Sequence, residues 1–492
     1  MSSDDLMGIR TEKIDSFREM GINPYPHNYD SSHSLSEVGN AYSSLQPGEG
    51  SGDQVSIAGR ITSIRSMGKV KFIDVCNGDD KLQLYIQKNK VGNGAYRATE
   101  LLDRGDFVGV TGEVIRTKRG EISVKACDVD PLCKALRSIP SQEYAVKDKE
   151  IRYRNRTLDL LSNPEVRDVF RKRSAAITQM RSTLDEAGYL EVETPILQSV
   201  YGGASARPFK THLNALGMSC YLSISPELYL KRLVAGDLGS VYTICKNFRN
   251  EGVDATHNPE FTMMECYGTF KDYHDMMDLT EQIYSDIFES INGKSTIQFK
   301  GQEIDIGLPW KKQTMTDAVS QKLGVDLSQV NLDELTKLIG DLEGGEITVG
   351  TNDTRGTLLC ELFDLYCADN LIQPTFIIDH PVESTPLCKT HREDSELIER
   401  FEPYIAGMEI GNAYSELNDP IRQRRLLEEQ QQELIDGNEE AHPLDEDFLT
   451  ALEYGMPPTG GLGLGIDRLV MLLTEQPSIR DVILFPFMRP RR

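Results

Sequence analysis

The sequence lacks several features that would assign it to common protein classes. Its 492 residues contain no uninterrupted apolar run of about 18 residues, so no transmembrane helix is predicted. The first ten residues lack a cationic start followed by an apolar stretch, so no secretory signal is expected. Its nine cysteines stand singly, without a Cys-x-x-Cys pair or a Cys/His cluster, which argues against a structural zinc site. We therefore predict a cytoplasmic protein with free thiols.

Basic residues are scarcer than acidic ones, and their distribution is uneven. The chain carries 53 Lys and Arg against 77 Asp and Glu, which gives a net charge of −24. The segment from Gln54 to Pro140 instead holds 15 basic and 10 acidic residues, so its net charge is +5 and the rest of the chain carries −29. A locally basic segment is expected if only part of the chain meets a phosphate backbone. Chance clustering explains the charges equally well.

Two common nucleotide-binding motifs are also missing. Gly293-Lys294-Ser295 ends like a phosphate-binding loop, but Phe288 stands where the leading glycine is required. The glycines between Gly461 and Gly465 have the wrong spacing for a dinucleotide fingerprint and lie outside a βαβ pattern. The usual α/β nucleotide-binding folds are therefore disfavoured.

The chain divides into segments of different pattern. Residues 1–53 are rich in Ser, Gly, Asp and Pro, which predicts a helical arm followed by a flexible linker. Residues 54–140 hold five short alternating runs separated by turn signals, which predicts a five-stranded OB-fold barrel that binds nucleic acid. Residues 141–160 are predicted to be a connector. Residues 161–492 alternate long helical and strand patterns: Pro164 is predicted to open a helix that Gly188 ends, and residues 189–194 are predicted to form a strand. A helical insertion is predicted around residues 308–375, with helices at residues 333–342 and 357–368.

A predicted hairpin in the last segment carries an unusual set of side chains. Its first strand, residues 241–248, ends at Arg249, and His257 lies in the loop before the second strand. Side chains two residues apart share a face of a strand, which groups four residues of the second strand: Phe261, Met263, Glu265 and Tyr267. A solvent-facing hairpin without a functional role would not need Glu265 beside so many apolar neighbours. An arginine, a histidine, an aromatic ring and a carboxylate are thus presented together.

Polar residues also cluster around residue 400 and near the C-terminus. Arg400 and Glu402 precede a strand on which alternate residues share one face: Asn412, Tyr414 and Glu416. Glu409 is out of phase with this face unless the strand bulges at Gly411. A glycine-rich strand then leads into a helix that starts at Arg468, where an arginine can meet a phosphate near a helix N-terminus.

These patterns together resemble the class II aminoacyl-tRNA synthetases. Residues 163–195 resemble motif 1, a dimer-interface element in the family; residues 248–265 resemble motif 2, and residues 460–468 resemble motif 3. The three stand in the family's order behind the barrel-like segment. The resemblance implies an α+β fold, with the OB-fold barrel followed by a catalytic domain on a mixed, mainly antiparallel β-sheet flanked by helices. It also implies a homodimer that uses ATP and Mg²⁺.

The amino-acid pocket resembles that of the lysyl enzymes within class II. The resemblance rests on Gly202-Gly203-Ala204, on residues 225–232 and on residues 412–419; the aspartyl and asparaginyl relatives usually have Gln or a similar residue at Glu227. A substrate ammonium removed from water must be paired, and Glu416 with Tyr267 is expected to supply the partner. The implied reaction activates L-lysine with ATP to lysyl-adenylate and then transfers lysine to the 3′ end of tRNA(Lys).

Two alternative interpretations of the function remain. An aspartyl or asparaginyl specificity is the nearest alternative, although an aspartate substrate would require a cationic pocket, and none of the residues expected to contact the amino acid is Lys or Arg apart from Arg249. A non-catalytic, synthetase-like regulator that binds tRNA is a further alternative, although such proteins usually lose the motif arginines or the metal carboxylates.

The resemblance implies roles for individual residues. Arg249 and Arg468 are the expected catalytic residues. The expected ATP contacts are Arg249 with the α-phosphate, Phe261 and Arg468 with the two faces of adenine, Glu251 with its amino group, His257 with the terminal phosphates, Gly465, and Glu402 and Glu409 through Mg²⁺. The expected lysine contacts are Gly203 and Glu227 at the α-amino group, Arg249 at the carboxylate, and Glu265, Tyr267, Asn412, Tyr414 and Glu416 around the side chain.

In the barrel, the resemblance implies four residues that read the anticodon: Arg65, Phe72, Gln83 and Glu121. Phe72 is suited to stacking on a base. Judged from the residues alone, it is equally suited to filling the barrel core.

Overall fold

The chain folds into two compact units, Met1–Pro164 and Glu165–Arg492. The computed structural model describes residues 3–139, 146–342, 347, 349–350 and 353–490. The first residues of the predicted connector, 141–145, and part of the predicted insertion lie outside these ranges. Within them, every helix is too short or too polar to cross a membrane.

The first unit is a closed five-stranded barrel with helices at both ends of its sequence. The barrel order is β1-β2-β3-β5-β4, with β3 and β5 parallel and the other pairs antiparallel. This confirms the predicted OB-fold architecture. The elements are α1 Ser3–Glu19, α2 Leu35–Ala41, β1 Gly50–Met67, β2 Val70–Asn77, β3 Asp80–Gln87, α3 Lys88–Ala98, β4 Phe107–Arg116, β5 Ile122–Cys133, α4 Lys149–Arg154 and α5 Arg156–Ser162.

The N-terminal arm packs into the barrel core. Phe17 of α1 and Leu35 and Val38 of α2 are buried in the same apolar cluster as the inward side chains of the strands. Burying these side chains stabilises the unit by roughly 1.5–3 kcal/mol each. The arm is therefore part of the folded unit. Gly50 opens β1, so the strand begins inside the stretch predicted to be a flexible linker.

The second unit is built on a nine-stranded sheet. The strand order is β14-β15-β16-β18-β19-β11-β10-β6, with β17 paired to β16; all pairs are antiparallel except β14–β15 and β10–β6. Two small sheets, β12-β13 and β7-β9-β8, flank it. The strands are β6 Leu190–Glu191, β7 Leu197–Gln198, β8 Lys210–Leu213, β9 Met218–Leu222, β10 Val241–Phe248, β11 Glu260–Thr269, β12 Thr296–Phe299, β13 Gln302–Asp305, β14 Lys311–Thr314, β15 Thr375–Pro381, β16 Leu397–Ile405, β17 Met408–Glu409, β18 Gly411–Ser415 and β19 Thr459–Gly465.

Helices cover this sheet, and they fit the mixed α+β class predicted. They are α6 Pro164–Glu186, α7 Glu227–Ala235, α8 Tyr273–Asn292, α9 Met315–Leu323, α10 Leu332–Asp341, α11 Arg355–Tyr366, α12 Pro420–Ile435, α13 Glu446–Glu453, α14 Ile466–Leu473 and α15 Ile479–Val482. Two 3₁₀ turns, Ala368–Asn370 and Val382–Ser384, complete the unit.

Helix α6 shows how local signals set an element's ends. It begins at the proline predicted to open it, and Gly188 ends it with a φ of 85°. The amide of Tyr189 donates to the Leu184 carbonyl, and the amide of Gly188 donates to the Asp185 carbonyl, which together form a Schellman motif. The apolar face of the helix is buried in the main core. The strand predicted for residues 189–194 shrinks to the two residues of β6.

The insertion forms a helical layer at the β14 edge of the sheet. Helices α9, α10 and α11 share one apolar cluster, which packs on Ile377 of β15 and Tyr404 of β16. α10 and α11 lie close to the predicted helices at residues 333–342 and 357–368. The insertion thereby supports β16, the strand that carries Glu402.

Candidate active site

One cleft on the nine-stranded sheet collects the residues predicted to bind ATP and lysine. It encloses about 400 Å³ and lies over strands β11, β16, β18 and β19. Every residue predicted for these two ligands lines it: Gly203, Glu227, Arg249, Glu251, His257, Phe261, Glu265, Tyr267, Glu402, Glu409, Asn412, Tyr414, Glu416, Gly465 and Arg468.

Strand β11 forms the floor of the cleft. The four residues predicted to share one face of this strand all line the cavity. Its neighbour β19 places glycines opposite them, Gly463 beside Glu265 and Gly461 beside Tyr267. A Cβ on Gly461 would collide with Glu416 Oε1 and lie 2.8 Å from Tyr267 Cε1. The glycine-rich strand is therefore needed for side chains to approach this backbone closely.

A bulge brings Glu409 onto the cleft face. Tyr404 of β16 pairs with Glu409, and Phe401 of β16 pairs with Ala413. These two pairs are three residues apart on β16 and four residues apart on the facing segment. The additional residue changes the alternation of side chains by one. This confirms that the strand bulges near Gly411, the condition under which Glu409 joins Asn412 on one face.

Two arginines and a histidine lie at the open end of the cleft. The Arg249 guanidinium is 5.1 Å from the Phe261 ring centroid. Burial lowers the pKa of Arg249, although the negative charges of Glu251, Glu409 and Glu265 oppose this shift. Arg468 donates to the Glu409 carbonyl, and its Nη2 lies 3.1 Å from His257 Nε2. Carboxylates of the described residues leave most donors of both arginines free, which suits binding of an anionic ligand.

His257 is oriented by Asp254. His257 Nδ1 lies 2.8 Å from Asp254 Oδ2, and the amides of Thr256 and His257 donate to Oδ1. Burial alone would raise the pKa of Asp254, but these hydrogen bonds outweigh it and lower that pKa to about 2. The carboxylate therefore stays ionised and fixes the ring whose other nitrogen faces Arg468.

Glu402 and Glu409 form a pair of carboxylates beside the arginines. Glu402 accepts from Arg400 Nη2 at 2.5 Å and from the Tyr404 hydroxyl at 2.9 Å, and Glu409 Oε2 lies 3.8 Å from Arg468 Nη1. Burial and then the charge of Glu402 raise the pKa of Glu409. A divalent cation would relieve this repulsion. The described residues contain no group of three or more His, Cys, Asp or Glu placed to hold a metal, so such a cation would need additional oxygen ligands from a phosphate or water.

The deep end of the cleft holds a buried ion triad. Lys231 Nζ lies 2.6 Å from Glu227 Oε1 and is in ion-pair contact with Glu416 Oε2, and it is fully buried. The Tyr414 hydroxyl donates to Glu227 Oε2 at 2.7 Å. Burial alone would lower the pKa of Lys231, but the two carboxylates outweigh it and raise that pKa. Lys231 is therefore an ammonium.

This triad corrects the partner expected for Glu416. The Tyr267 hydroxyl donates to Glu265 at 3.2 Å and not to Glu416, whose cationic partner is Lys231. Glu416 Oε1 is buried and has no hydrogen-bond partner among the described residues. The structure adds a cation that was not among the expected lysine contacts, because Lys231 lies directly against the two carboxylates.

Glu265 lies between the arginine end and the triad. It accepts from the Ser225 hydroxyl at 2.9 Å and from Tyr267, and burial followed by the charge of Glu227 raises its pKa to about 8. Arg249 opposes this rise. Glu265 therefore interacts both with Arg249 and with Glu227 of the triad.

Three residues that support the site were not predicted. Asp467 accepts from the Thr262 amide at 2.7 Å and from Arg173 at 2.6 Å, which fixes the start of α14 against β11 and α6. Arg400 donates to Asn412 Oδ1 at 2.9 Å as well as to Glu402. Asp467 adjoins Arg468 in sequence, and Arg400 alternates with Glu402, so a local signal existed for both. Lys231 had one too, since it follows Glu227 by one helical turn.

The residues predicted to read an anticodon lie in the first unit, on the outer face of β1–β3 and the turn before β5. Phe72 is half-buried and stacks on Tyr85 with ring centroids 5.1 Å apart, while its neighbours Lys71 and Ile73 are buried. Asp74 Oδ1 accepts from Arg65 at 3.0 Å and from Gln83 at 3.3 Å. Glu121 is exposed in the turn before β5. Phe72 is therefore not a barrel-core residue, and Tyr85 and Asp74 are partners that the sequence did not reveal.

Comparisons with known proteins agree with this architecture. The family described as tRNA synthetases class II (D, K and N) matches residues 148–489, and the OB-fold nucleic acid binding domain matches residues 55–132. The chain is 47% identical to the lysine–tRNA ligase of Moorella thermoacetica, over 100% of this chain and 99% of that protein. It is 47% identical to that of Syntrophomonas wolfei and 48% identical to that of Enterococcus faecalis, in each case over 99% of this chain and 97% of the relative.

Proposed function

The chain belongs to the class II tRNA synthetase family, and we propose that it is a lysine–tRNA ligase that forms lysyl-adenylate from L-lysine and ATP and transfers lysine to tRNA(Lys). The observation that supports the amino-acid specificity is the deep end of the cleft. There two carboxylates, Glu227 and Glu416, face one ammonium, Lys231, and Glu416 Oε1 has no hydrogen-bond donor among the described residues. A buried site with more carboxylates than cations favours a cationic ligand.

The charged groups of the cleft give lysine an orientation. Its carboxylate would lie at Arg249, its α-ammonium at Gly203 and Glu227, and its ε-ammonium at Glu416, with Glu265 beside the side chain. Gly203 has a φ of 86°, and a Cβ there would lie 2.8 Å from both Glu227 Cβ and Ser225 Oγ. This close approach of Gly203 to Glu227 supports their common role at the α-amino group.

The open end of the cleft suits ATP. Phe261 would stack on adenine with Arg468 over its other face, Arg249 would contact the α-phosphate, and His257 would contact the terminal phosphates. A lysine carboxylate is already ionised, so attack on the α-phosphate needs no general base. Catalysis then rests on placing two anions together and neutralising their charge.

Glu402 and Glu409 fit a magnesium ion carried by ATP. Both carboxylates line the cleft and interact unfavourably with each other, and Mg²⁺ prefers such oxygen ligands together with phosphates and water. When bound, the ion would neutralise charge on the phosphates.

Amino-acid specificity is tested by ATP–pyrophosphate exchange with each of the twenty amino acids. We expect strong exchange with lysine alone, because the deep carboxylates pair an ammonium and repel the carboxylate of aspartate. Stronger exchange with aspartate or asparagine would overturn the lysyl specificity. No exchange with any amino acid, in a folded protein that binds tRNA, would favour a synthetase-like regulator.

A homodimer is the proposed assembly. The apolar face of α6 packs into the core, so it is not free for an interface as the sequence suggested. The residues after the helix instead expose apolar side chains, Leu190, Ile196 and Leu197, each 44–50% accessible. Exposed apolar patches of this kind mark protein–protein contacts. Sedimentation should give roughly 110 kDa, twice the 55.2 kDa chain, and Leu197→Glu should shift the mass toward one chain; an active monomer at micromolar concentration would contradict the proposal.

The proposed location is the cytoplasm, where the tRNA substrate of translation is found. All nine cysteines are free thiols, as a reducing compartment permits.

A further inference from the structure

The buried ammonium of Lys231 contacts neither lysine nor ATP in the site proposed above. It comes from α7, one turn after Glu227, and its whole side chain is removed from water. Besides the two carboxylates it lies 5.5 Å from the Tyr414 ring centroid, and Tyr414 itself donates to Glu227. Burying a lysine is costly unless it is paired. Here one ammonium is shared between two carboxylates that line the ligand cavity.

We propose that Lys231 is the positioning residue that determines specificity for a primary ammonium: it holds Glu227 and Glu416 together, cancels one of their two charges, and leaves Glu416 Oε1 to receive the substrate's side-chain ammonium. This inference rests on the proposed lysine specificity and deepens it, because it assigns the selection of the cation to a residue that does not line the cleft.

The charge count explains why a resident cation is needed. Two carboxylates that share a buried site do not both ionise readily; without a cation one of them keeps a proton. Burial raises the pKa of Glu416 well above its usual range, and Lys231 is the first group that opposes the rise. Lys231 offsets the charge of one carboxylate. A substrate ammonium at Glu416 then gives two cations for two carboxylates, so that both can ionise when the ligand is bound.

The geometry leaves one oxygen of Glu416 for the ligand. Glu416 lines the cavity, Lys231 contacts it through Oε2, and Oε1 has no hydrogen-bond donor among the described residues. Oε1 also lies against Gly461, where any Cβ would collide with it. On Glu227 both oxygens are already engaged, by Lys231 and by Tyr414. Glu416 is thus the carboxylate with an acceptor to offer.

The first test is Lys231→Met, which keeps the length of the side chain and removes its charge. We expect the KM for lysine in pyrophosphate exchange to rise roughly 30-fold or more, the loss typical when one partner of a buried charge pair is removed. The KM for ATP should stay within about twofold, because the expected ATP contacts lie at the open end of the cleft and the triad lies at its deep end. Arg232→Met is the matched control, since Arg232 is the next residue on the same helix, does not line the cleft and should change neither constant.

The second test separates charge from cavity filling. Lys231→Ala should be deficient in lysine activation, and added n-propylammonium should restore the lysine kcat/KM in a saturable manner by placing an ammonium between the carboxylates. The neutral alcohol 1-propanol at the same concentration should not restore it. Rescue by both compounds would show that Lys231 only fills space and would overturn the proposal.

The remaining outcomes are also decisive. Wild-type lysine KM in Lys231→Met would overturn the proposal outright. A Lys231→Ala protein that keeps a wild-type ATP KM but gains nothing from n-propylammonium would overturn it too. Failure of the wild-type protein to activate lysine would instead overturn the proposed function, and with it this inference, so the two failures are distinguished by the wild-type reaction.

Discussion

At the scale of single residues, Glu265 should make lysine binding depend on pH. Burial and the charge of Glu227 raise its pKa to about 8, so below that pH the carboxyl of the empty site is protonated. A bound ammonium favours the ionised form and lowers this pKa. Lysine binding therefore releases a proton below pH 8 and strengthens as the pH rises toward 8. The KM for lysine should fall between pH 6 and 8.

Two measurements check this dependence. Calorimetric titration with lysine at pH 7 in buffers of different ionisation enthalpy should report proton release. Glu265→Gln should bind lysine more weakly and lose the slope between pH 6 and 8, because Gln cannot ionise. A wild-type KM that stays flat over this range would show that Glu265 is already ionised in the empty site.

The residues of the cleft show where sequence reasoning succeeds and where it stops. The alternation of Phe261 with Glu265 is a local property of a strand, so it was predictable. The buried pairing of Lys231 was not predictable. Its local signal, a Glu and a Lys one helical turn apart, usually marks an exposed ion pair. Only the fold shows that α7 is buried on this side and that Glu416, which directly follows β18, contacts the same ammonium.

At the scale of elements, boundaries set by local chemistry were predictable and lengths set by pairing were not. Pro164 and Gly188 mark the ends of α6 through their own backbone restrictions. Strand β6 is short because it pairs with β10 through only two residues, Leu190 and Glu191, and strand length depends on such distant partners. Gly50 is a second example: it is the first residue of barrel strand β1, but the glycine-rich sequence around it predicts a flexible linker.

The outer face of the β1–β3 strands carries an element-scale prediction. Phe72 is half-buried on Tyr85 rather than inside the barrel, so Phe72→Ala should remove a stacking surface and leave the fold intact. Stacking is worth ~1–3 kcal/mol per base, so the kcat/KM for tRNA in aminoacylation should fall roughly 5- to 150-fold. Lysine-dependent pyrophosphate exchange should not change.

Phe72→Tyr is the control for this prediction because it keeps the ring. It should retain most of the aminoacylation activity. Equal losses of exchange and aminoacylation in Phe72→Ala, together with a lower melting temperature, would mean that the ring stabilises the unit and does not bind tRNA.

At the scale of the whole molecule, the fold class followed from segment patterns and family resemblance, but the sheet order did not. β11 pairs with β19, almost 200 residues further along the chain, and this pairing is what puts Gly461 and Gly463 beside Tyr267 and Glu265. Contacts of such sequence separation leave no local periodicity. The cleft exists because these distant segments meet.

The charge asymmetry of the chain gives a prediction at the same scale. Residues 54–140 carry +5 while the rest of the chain carries −29, so the barrel segment should make the phosphate contacts with tRNA. Displacement of counterions makes such contacts weaken with salt. Raising the salt from 50 to 200 mM should increase the KM for tRNA steeply, whereas the KM for lysine in exchange should change little, because its charge pairs are buried and poorly screened.

The barrel should be the source of this salt dependence. Lys118 and Arg119 are exposed in the turn between β4 and β5, next to Glu121. The double variant Lys118→Gln/Arg119→Gln should raise the KM for tRNA and reduce the slope of log KM against log salt by about one to two, since up to two phosphate contacts are lost. Lys337→Gln, an exposed lysine on α10 in the second unit, is the matched control and should leave the slope unchanged. If the control variant lowers the slope and the barrel variant does not, the basic segment is a chance clustering of charge and the tRNA backbone is held by the acidic unit instead.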